Sequence, residues 1–296
     1  MPSVNEIAFR AGLAAVNKDS SIRVYTLDVD GGVREIQYEG KWTGGTSSNV
    51  LAKARIGSPV AATSIGLDYI RVYYISSDCK VQEKCWDGKG WYDGSLGEAG
   101  FKVAPFSGGL SAIYLGGRND VIRVYGQVEN GTIEEFTYDG GKGWQKGHSF
   151  GIALPGTAIT ATTWSSGSTH IRVYYQDGDL NIKEKAWDGH NWAEGGFRLP
   201  FQPPRSALSA VSWYRDDSLN IRVYYAAAAC MMREMAWDGG WNDGSFGEES
   251  VAGSCVTAIV ADTLRTYVQI GNMTSGITEF SWKDGWVTTQ EALPPA

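Results

Sequence analysis

An arginine, a glutamate twelve residues further on, and two aromatic residues beyond it recur through this chain. The pairs are Arg23/Glu35, Arg71/Glu83, Arg123/Glu135, Arg172/Glu184 and Arg222/Glu234, and a sixth, Arg265/Glu279, is spaced by fourteen. Three residues after each glutamate stands Tyr38, Trp86, Tyr138, Trp187, Trp237 or Trp282; seven to nine after it stands Trp42, Trp91, Trp144, Trp192, Trp241 or Trp286. A guanidinium donates to hydroxyl and ring oxygens, a carboxylate accepts from hydroxyl protons, and an aromatic face covers the apolar C–H side of a ring. That set suits a sugar. The structural alternative is a cross-strand ion pair contributing well under ~1 kcal/mol when exposed, with tryptophans filling the space between sheets.

The elements carrying these residues are strands. The arginines lie in an Ile-Arg-Val-Tyr string at Ile22–Tyr25, Ile70–Tyr73, Ile122–Tyr125, Ile171–Tyr174 and Ile221–Tyr224, weakened to LRTY at Leu264–Tyr267. Their separations of 48, 52, 49, 50 and 43 residues match the length of a propeller blade. Apolar runs are short, rich in Val, Ile, Tyr and Trp, and punctuated by Gly, Asp, Asn and Ser. Runs such as ALSAVSW (Ala207–Trp213) or TAITATTW (Thr157–Trp164) precede each arginine string, and segments such as IKEKAWDG follow it. The predicted fold is therefore all-β, a six-bladed β-propeller with four antiparallel strands per blade, over a single domain 1–296. Its approximate repeats are 11–57, 58–106, 107–155, 156–203, 204–252 and 253–296. Alternation along the strand separates Ile171 and Val173 from Arg172 and Tyr174, and a hairpin centred near Gly178 sets Arg172 roughly opposite Glu184. The seam is expected where Ile7–Arg10 meets strands from the C-terminus, closing the ring and hiding sheet edges.

Composition excludes several functions. A net charge of −7 lacks the basic footprint of a nucleic-acid binder. No run of about 18 apolar residues indicates membrane insertion, and the N-terminus does not read as a secretory signal. A soluble protein is expected, cytoplasmic or exported non-classically to the cell surface. Four cysteines without C-x-x-C spacing are expected as free thiols. His148, His170 and His190 have no ligand-like spacing and are expected in structural or surface roles; no metal site and no cofactor is predicted. Sialidases also use six-bladed propellers, but the residue two before each D-G aspartate is Ala, Cys or Thr and not the Ser of an Asp-box. Arginines spread one per blade argue for repeated binding, where a glycosidase needs convergent carboxylates. The chain is therefore read as no enzyme, and a protein-interaction scaffold is the alternative to a sugar binder.

The repeated IRVYY, the E-x-x-W-D-G, the following Trp and the early WTGGTSSNV (Trp42–Val50) resemble the fungal fucose-specific lectins typified by the Aleuria aurantia lectin, along essentially the whole chain. The resemblance implies a multivalent lectin for L-fucose and fucosylated oligosaccharides or glycoproteins on cell surfaces. It further implies sites between adjacent blades, no metal, and a homodimer. In that pattern Arg23 and Glu35 face Trp86 and Trp91; Arg71 and Glu83 face Tyr138 and Trp144; Arg123 and Glu135 face Trp187 and Trp192. Arg172 and Glu184 then face Trp237 and Trp241, Arg222 and Glu234 face Trp282 and Trp286, and Arg265 and Glu279 close the ring against Tyr38 and Trp42.

Overall fold

Each repeat folds into one antiparallel sheet whose strands lie side by side in chain order. The computed structural model describes residues 3–295, so residues 1–2 and 296 of the expected domain lie outside the described span. The first strands are Ala14–Lys18, Ala61–Ile65, Leu110–Tyr114, Ile159–Ser166, Leu208–Arg215 and Val256–Val260. Each touches the next around a ring, and the last touches the first. Six strands converging on one axis leave room only for small side chains, and the channel they line, about 360 Å³, is walled largely by Ala, Ser, Thr and Val. Serine and threonine hydroxyls there accept from the neighbouring blade's backbone, as Ser111 does from Ala161 and Thr160 from Ala210, both at 2.9 Å. The fold is a six-bladed β-propeller, as the repeats predict. Blade 1 adds a short strand, Val50–Lys53, paired with Gly32–Tyr38.

The second strands hold the blades together because both of their faces are buried. Ile122 and Val124 pack with Tyr73 of the preceding blade, Ile171 and Val173 with Tyr125, and Ile221 and Val223 with Tyr174. The core is thus a set of layers between blades: the Tyr face of one meets the Ile/Val face of the next. Tyr25, Tyr73, Tyr125, Tyr174, Tyr224 and Tyr267 are all fully buried.

The register departs from one expectation. Glu184 pairs with Tyr174, and Arg172 pairs with Ala186. The connecting loop runs from Asp177 to Asn181, closed by Asp177 N–H donating to the Asn181 carbonyl at 2.9 Å, with Leu180 in the left-handed region (φ 65°). This three-residue loop centres the hairpin on Asp179 instead of Gly178. Glutamate stands opposite tyrosine in the other blades too, including Tyr267 and Glu279. Arginine and glutamate are therefore diagonal neighbours on one face.

The seam also differs from expectation. Ile7 bridges Asp28 and Ala8 N–H donates to Leu27 O, so this segment pairs with blade 1 itself and not with C-terminal strands. Blade 6 builds all four strands from the chain's end, Val256–Val260 through Trp286–Leu293. Ile259, Tyr267, Ile277 and Leu293 pack into the blade 1 core across this seam, and a side chain staples it: Gln269, fully buried, donates to the carbonyls of Ala8 and Ser275 and accepts from Arg10 N–H at 2.7 Å. Gln176 holds the linker at Arg205 in the same way, and Gln127 the linker at Gly156.

Candidate functional site

Strand pairing decides which residues share a cleft. Ile171 pairs with Trp187, and Trp187 with Trp192, so both aromatics lie on the Ile/Val face of blade 4. That face meets the Arg/Tyr/Glu face of blade 3. One cleft is accordingly lined by Arg123, Glu135, Trp187 and Trp192, and another, about 580 Å³, by Arg222, Glu234, Trp282 and Trp286. The second aromatic of a blade also meets the buried tyrosine of the preceding blade edge-on: Tyr25 with Trp91, Tyr73 with Trp144, Tyr174 with Trp241, Tyr224 with Trp286 and Tyr267 with Trp42, at 6.1–6.4 Å. Arg265 lies over Tyr38 at 5.8 Å across the closing junction. Two of the six sets anticipated from the sequence thus each line one cleft, and the other four lie on the corresponding facing surfaces of adjacent blades.

Each cleft is a built polar corner beside an apolar one. The two aromatics of a blade flank the hairpin between its third and fourth strands, with centroids 5.1–5.8 Å apart and planes inclined by 47–71°. Two inclined ring faces cover a ligand's C–H surface from two sides. Across from them, Nη1 of Arg71, Arg123, Arg172 and Arg222 donates to the carbonyl of the preceding isoleucine at 2.9–3.0 Å, which orients the guanidinium before any ligand arrives. Their Nε atoms lie 3.8, 3.9, 3.6 and 3.2 Å from the glutamates. Burial raises the carboxyls of Glu35, Glu83, Glu135 and Glu184 above the usual range, and that of Glu234 to about 7. In the Glu234 cleft, two buried polar atoms, Glu234 Oε2 and Trp286 Nε1, have no hydrogen-bond partner among the described residues.

The sequence model of the fungal fucose-specific lectin family matches residues 7–296. This chain belongs to that family. It is similar to the fucose-specific lectin of Aspergillus oryzae, 37% identical over 100% of this chain and 99% of the other. Among solved structures it is similar to the SapL1 lectin in complex with alpha methyl fucoside, at 50% identity and TM-score 0.95, covering 99% of this chain and 100% of that one. The six-bladed Aleuria aurantia lectin superposes with TM-score 0.83 at 31% identity, over 99% of each chain.

Within this family framework, the structure adds residues that motif spacing did not reveal. In blades 3, 4 and 5 the aspartate four residues after the glutamate, in a Y-D-G or W-D-G triplet, clamps the arginine: Arg123 to Asp139 at 3.0 Å, Arg172 to Asp188 at 2.9 Å, and Arg222 to both oxygens of Asp238 at 2.9 and 3.0 Å. Its place inside the repeated triplet was the available signal. Trp164 and Trp213, the two tryptophans outside the motif, lie under Arg172 and Arg222 at 4.9 and 5.1 Å. Two histidines expected in structural or surface roles border clefts: His170 hydrogen-bonds Asp188 at 2.8 Å and stacks on Trp164, and His148 stacks on Trp192 at 5.9 Å. In the closing cleft Arg265 is turned. Its Nε and Nη2 donate to Asp262 and its Nη1 to Glu279 at 3.0 Å, while Thr289 and Tyr267 hydroxyls take both Glu279 oxygens. Glu279 is only 1% exposed, and the sixth hairpin's two extra residues accompany this sealed pair.

Proposed function

We propose that this protein is a multivalent, non-catalytic lectin for L-fucose and fucosylated glycans, each site taking Arg and Glu from one blade and two aromatics from the next. The observation that carries the reading is the cleft between blades 5 and 6, where an unpartnered buried acceptor, Glu234 Oε2, and an unpartnered buried donor, Trp286 Nε1, line one pocket with the clamped Arg222. Orphaned buried polar groups cost about 1–3 kcal/mol each until a ligand pairs them. A sugar whose hydroxyls donate to Glu234 and accept from Arg222 and Trp286 Nε1 pairs both, while fucose, lacking a 6-hydroxyl, sets its methyl against the inclined rings of Trp282 and Trp286.

A lectin role is supported by the arrangement's repetition around the ring, where a glycosidase would gather its carboxylates on one bond. The partners proposed are fucosylated glycoproteins on cell surfaces, met by a homodimer with two rings of sites. No helix among the described residues is long and apolar enough to cross a membrane. Calorimetric titration with methyl α-L-fucoside, galactose and mannose tests the reading: binding of fucoside alone is expected, and equal binding of galactose or mannose contradicts the specificity. Sedimentation analysis tests the dimer.

A further inference from the structure

Cleft 1, between blades 1 and 2, carries the whole motif yet differs at two positions beside it. The residue opposite each arginine, two places after the glutamate, is Gln37, Cys85, Thr137, Ala186, Ala236 or Ser281. Gln37 is the long one. Its Nε2 donates to Glu35 Oε1 at 2.6 Å, and the buried Tyr25 hydroxyl donates to Oε2 at 2.9 Å. In clefts 2 and 3 the glutamate's second donor is instead a backbone N–H, of Leu96 at 3.3 Å and His148 at 3.2 Å, so among clefts 1 to 5 the competing side chain is a feature of cleft 1. Arg23 keeps the same backbone bond as its counterparts, Nη1 to Ile22 O at 2.9 Å, but forms its ion pair elsewhere. Its Nη2 lies 2.7 Å from Glu39, which also accepts from Ser21 at 2.6 Å. Glu39 is a glutamate where clefts 3, 4 and 5 have Asp139, Asp188 and Asp238, and its extra methylene draws the guanidinium outward. In clefts 2 to 5 the arginine stays within 3.9 Å of its glutamate.

We infer that Gln37 is a built-in competitor that closes cleft 1 to fucose. The inference rests on the fucose reading proposed above. The carboxamide N–H occupies the acceptor that a sugar hydroxyl needs. It is held there by a strand two residues long between the partners, at an effective concentration that a weakly binding free sugar does not match. A sugar entering cleft 1 must break this charge-assisted bond and recover the arginine from Glu39. The small side chains at Ala186 and Ala236 present no such rival.

Gln37→Ala tests this. The number of methyl α-L-fucoside molecules bound per chain, read by calorimetry, is expected to rise by one, and the gain to vanish in Gln37→Ala/Glu35→Ala. Crystals of both proteins soaked in methyl α-L-fucoside provide an independent readout: cleft 1 is expected empty in the unaltered protein and filled in Gln37→Ala. Fucoside in cleft 1 of the unaltered protein with Gln37 swung aside, or an unchanged site count in a folded Gln37→Ala, overturns the inference. No fucoside in any cleft of either protein instead overturns the fucose reading itself.

Discussion

A guanidinium held by the preceding isoleucine's carbonyl, by an aspartate and, in two blades, by a tryptophan ring is costly to replace, because everything around it was arranged for a cation. Arg172→Ala is expected to weaken fucoside binding in its own cleft by about 2–4 kcal/mol, since the charge-assisted donors go and the buried Glu184 loses its cation. Calorimetry should show the site count falling by one, and an unchanged count contradicts the assignment. Glu234 supplies a second test. Its pKa, raised to about 7 by burial, means the native chain holds a proton that the unfolded chain releases at lower pH. Stability contributed through this group is therefore present at acid pH and lost as pH rises toward 7. Fucoside binding has the opposite slope. A hydroxyl donating to Glu234 favours the carboxylate, so affinity at this cleft should rise between about pH 6 and 8 with a proton released on binding. Calorimetry in two buffers of different ionisation enthalpy measures that release, and Glu234→Gln should abolish both slopes.

Strands and hairpins turn the repeated motif into clefts. Alternation along IRVY was legible, and it correctly separated Ile and Val from Arg and Tyr. The exact pairing was not, because the hairpin hosts a left-handed residue, Leu180, and one such residue moves the centre enough to bring tyrosine, not arginine, opposite glutamate. The consequence is chemical: in four blades the glutamate gains a hydroxyl donor beneath it, from Tyr25, Tyr73, Tyr125 or Tyr267. The staples at blade junctions are likewise invisible from spacing, since Gln127, Gln176 and Gln269 look like ordinary polar strand ends. Gln269→Leu leaves two carbonyls and an N–H unpaired at the seam and is expected to cost at least about 2 kcal/mol of stability. Urea unfolding checks it; a wild-type midpoint would show that the seam closes without this residue.

At the scale of the whole molecule, a ring of shallow clefts favours surfaces over free sugar. A small sugar offers few atoms, so single sites should bind in the micromolar range or weaker. Several clefts on one rigid ring engage several fucosylated chains at once, and avidity is expected to gain about 10²–10⁴. Binding to a densely fucosylated surface should exceed binding to the same glycan spread sparsely by that factor, with free fucose reversing agglutination; equal affinity on both surfaces would contradict multivalent capture.

Repetition made the architecture readable. Six registered copies of one strand string determine six blades, because each copy must bury both faces of its second strand and only neighbours in a closed ring provide them for every copy. The same copies determine which residues share a face, since side-chain alternation is a property of any strand. Whether a given cleft is open was decided by tertiary structure alone. Arg23, Arg222 and Arg265 stand in nearly the same motif, yet one reaches for Glu39, one waits beside an unpaired oxygen of Glu234, and one is locked between Asp262 and Glu279. Those outcomes depend on differences of one methylene or two hairpin residues, which shift a donor and so decide whether the protein or a sugar completes the hydrogen bonds.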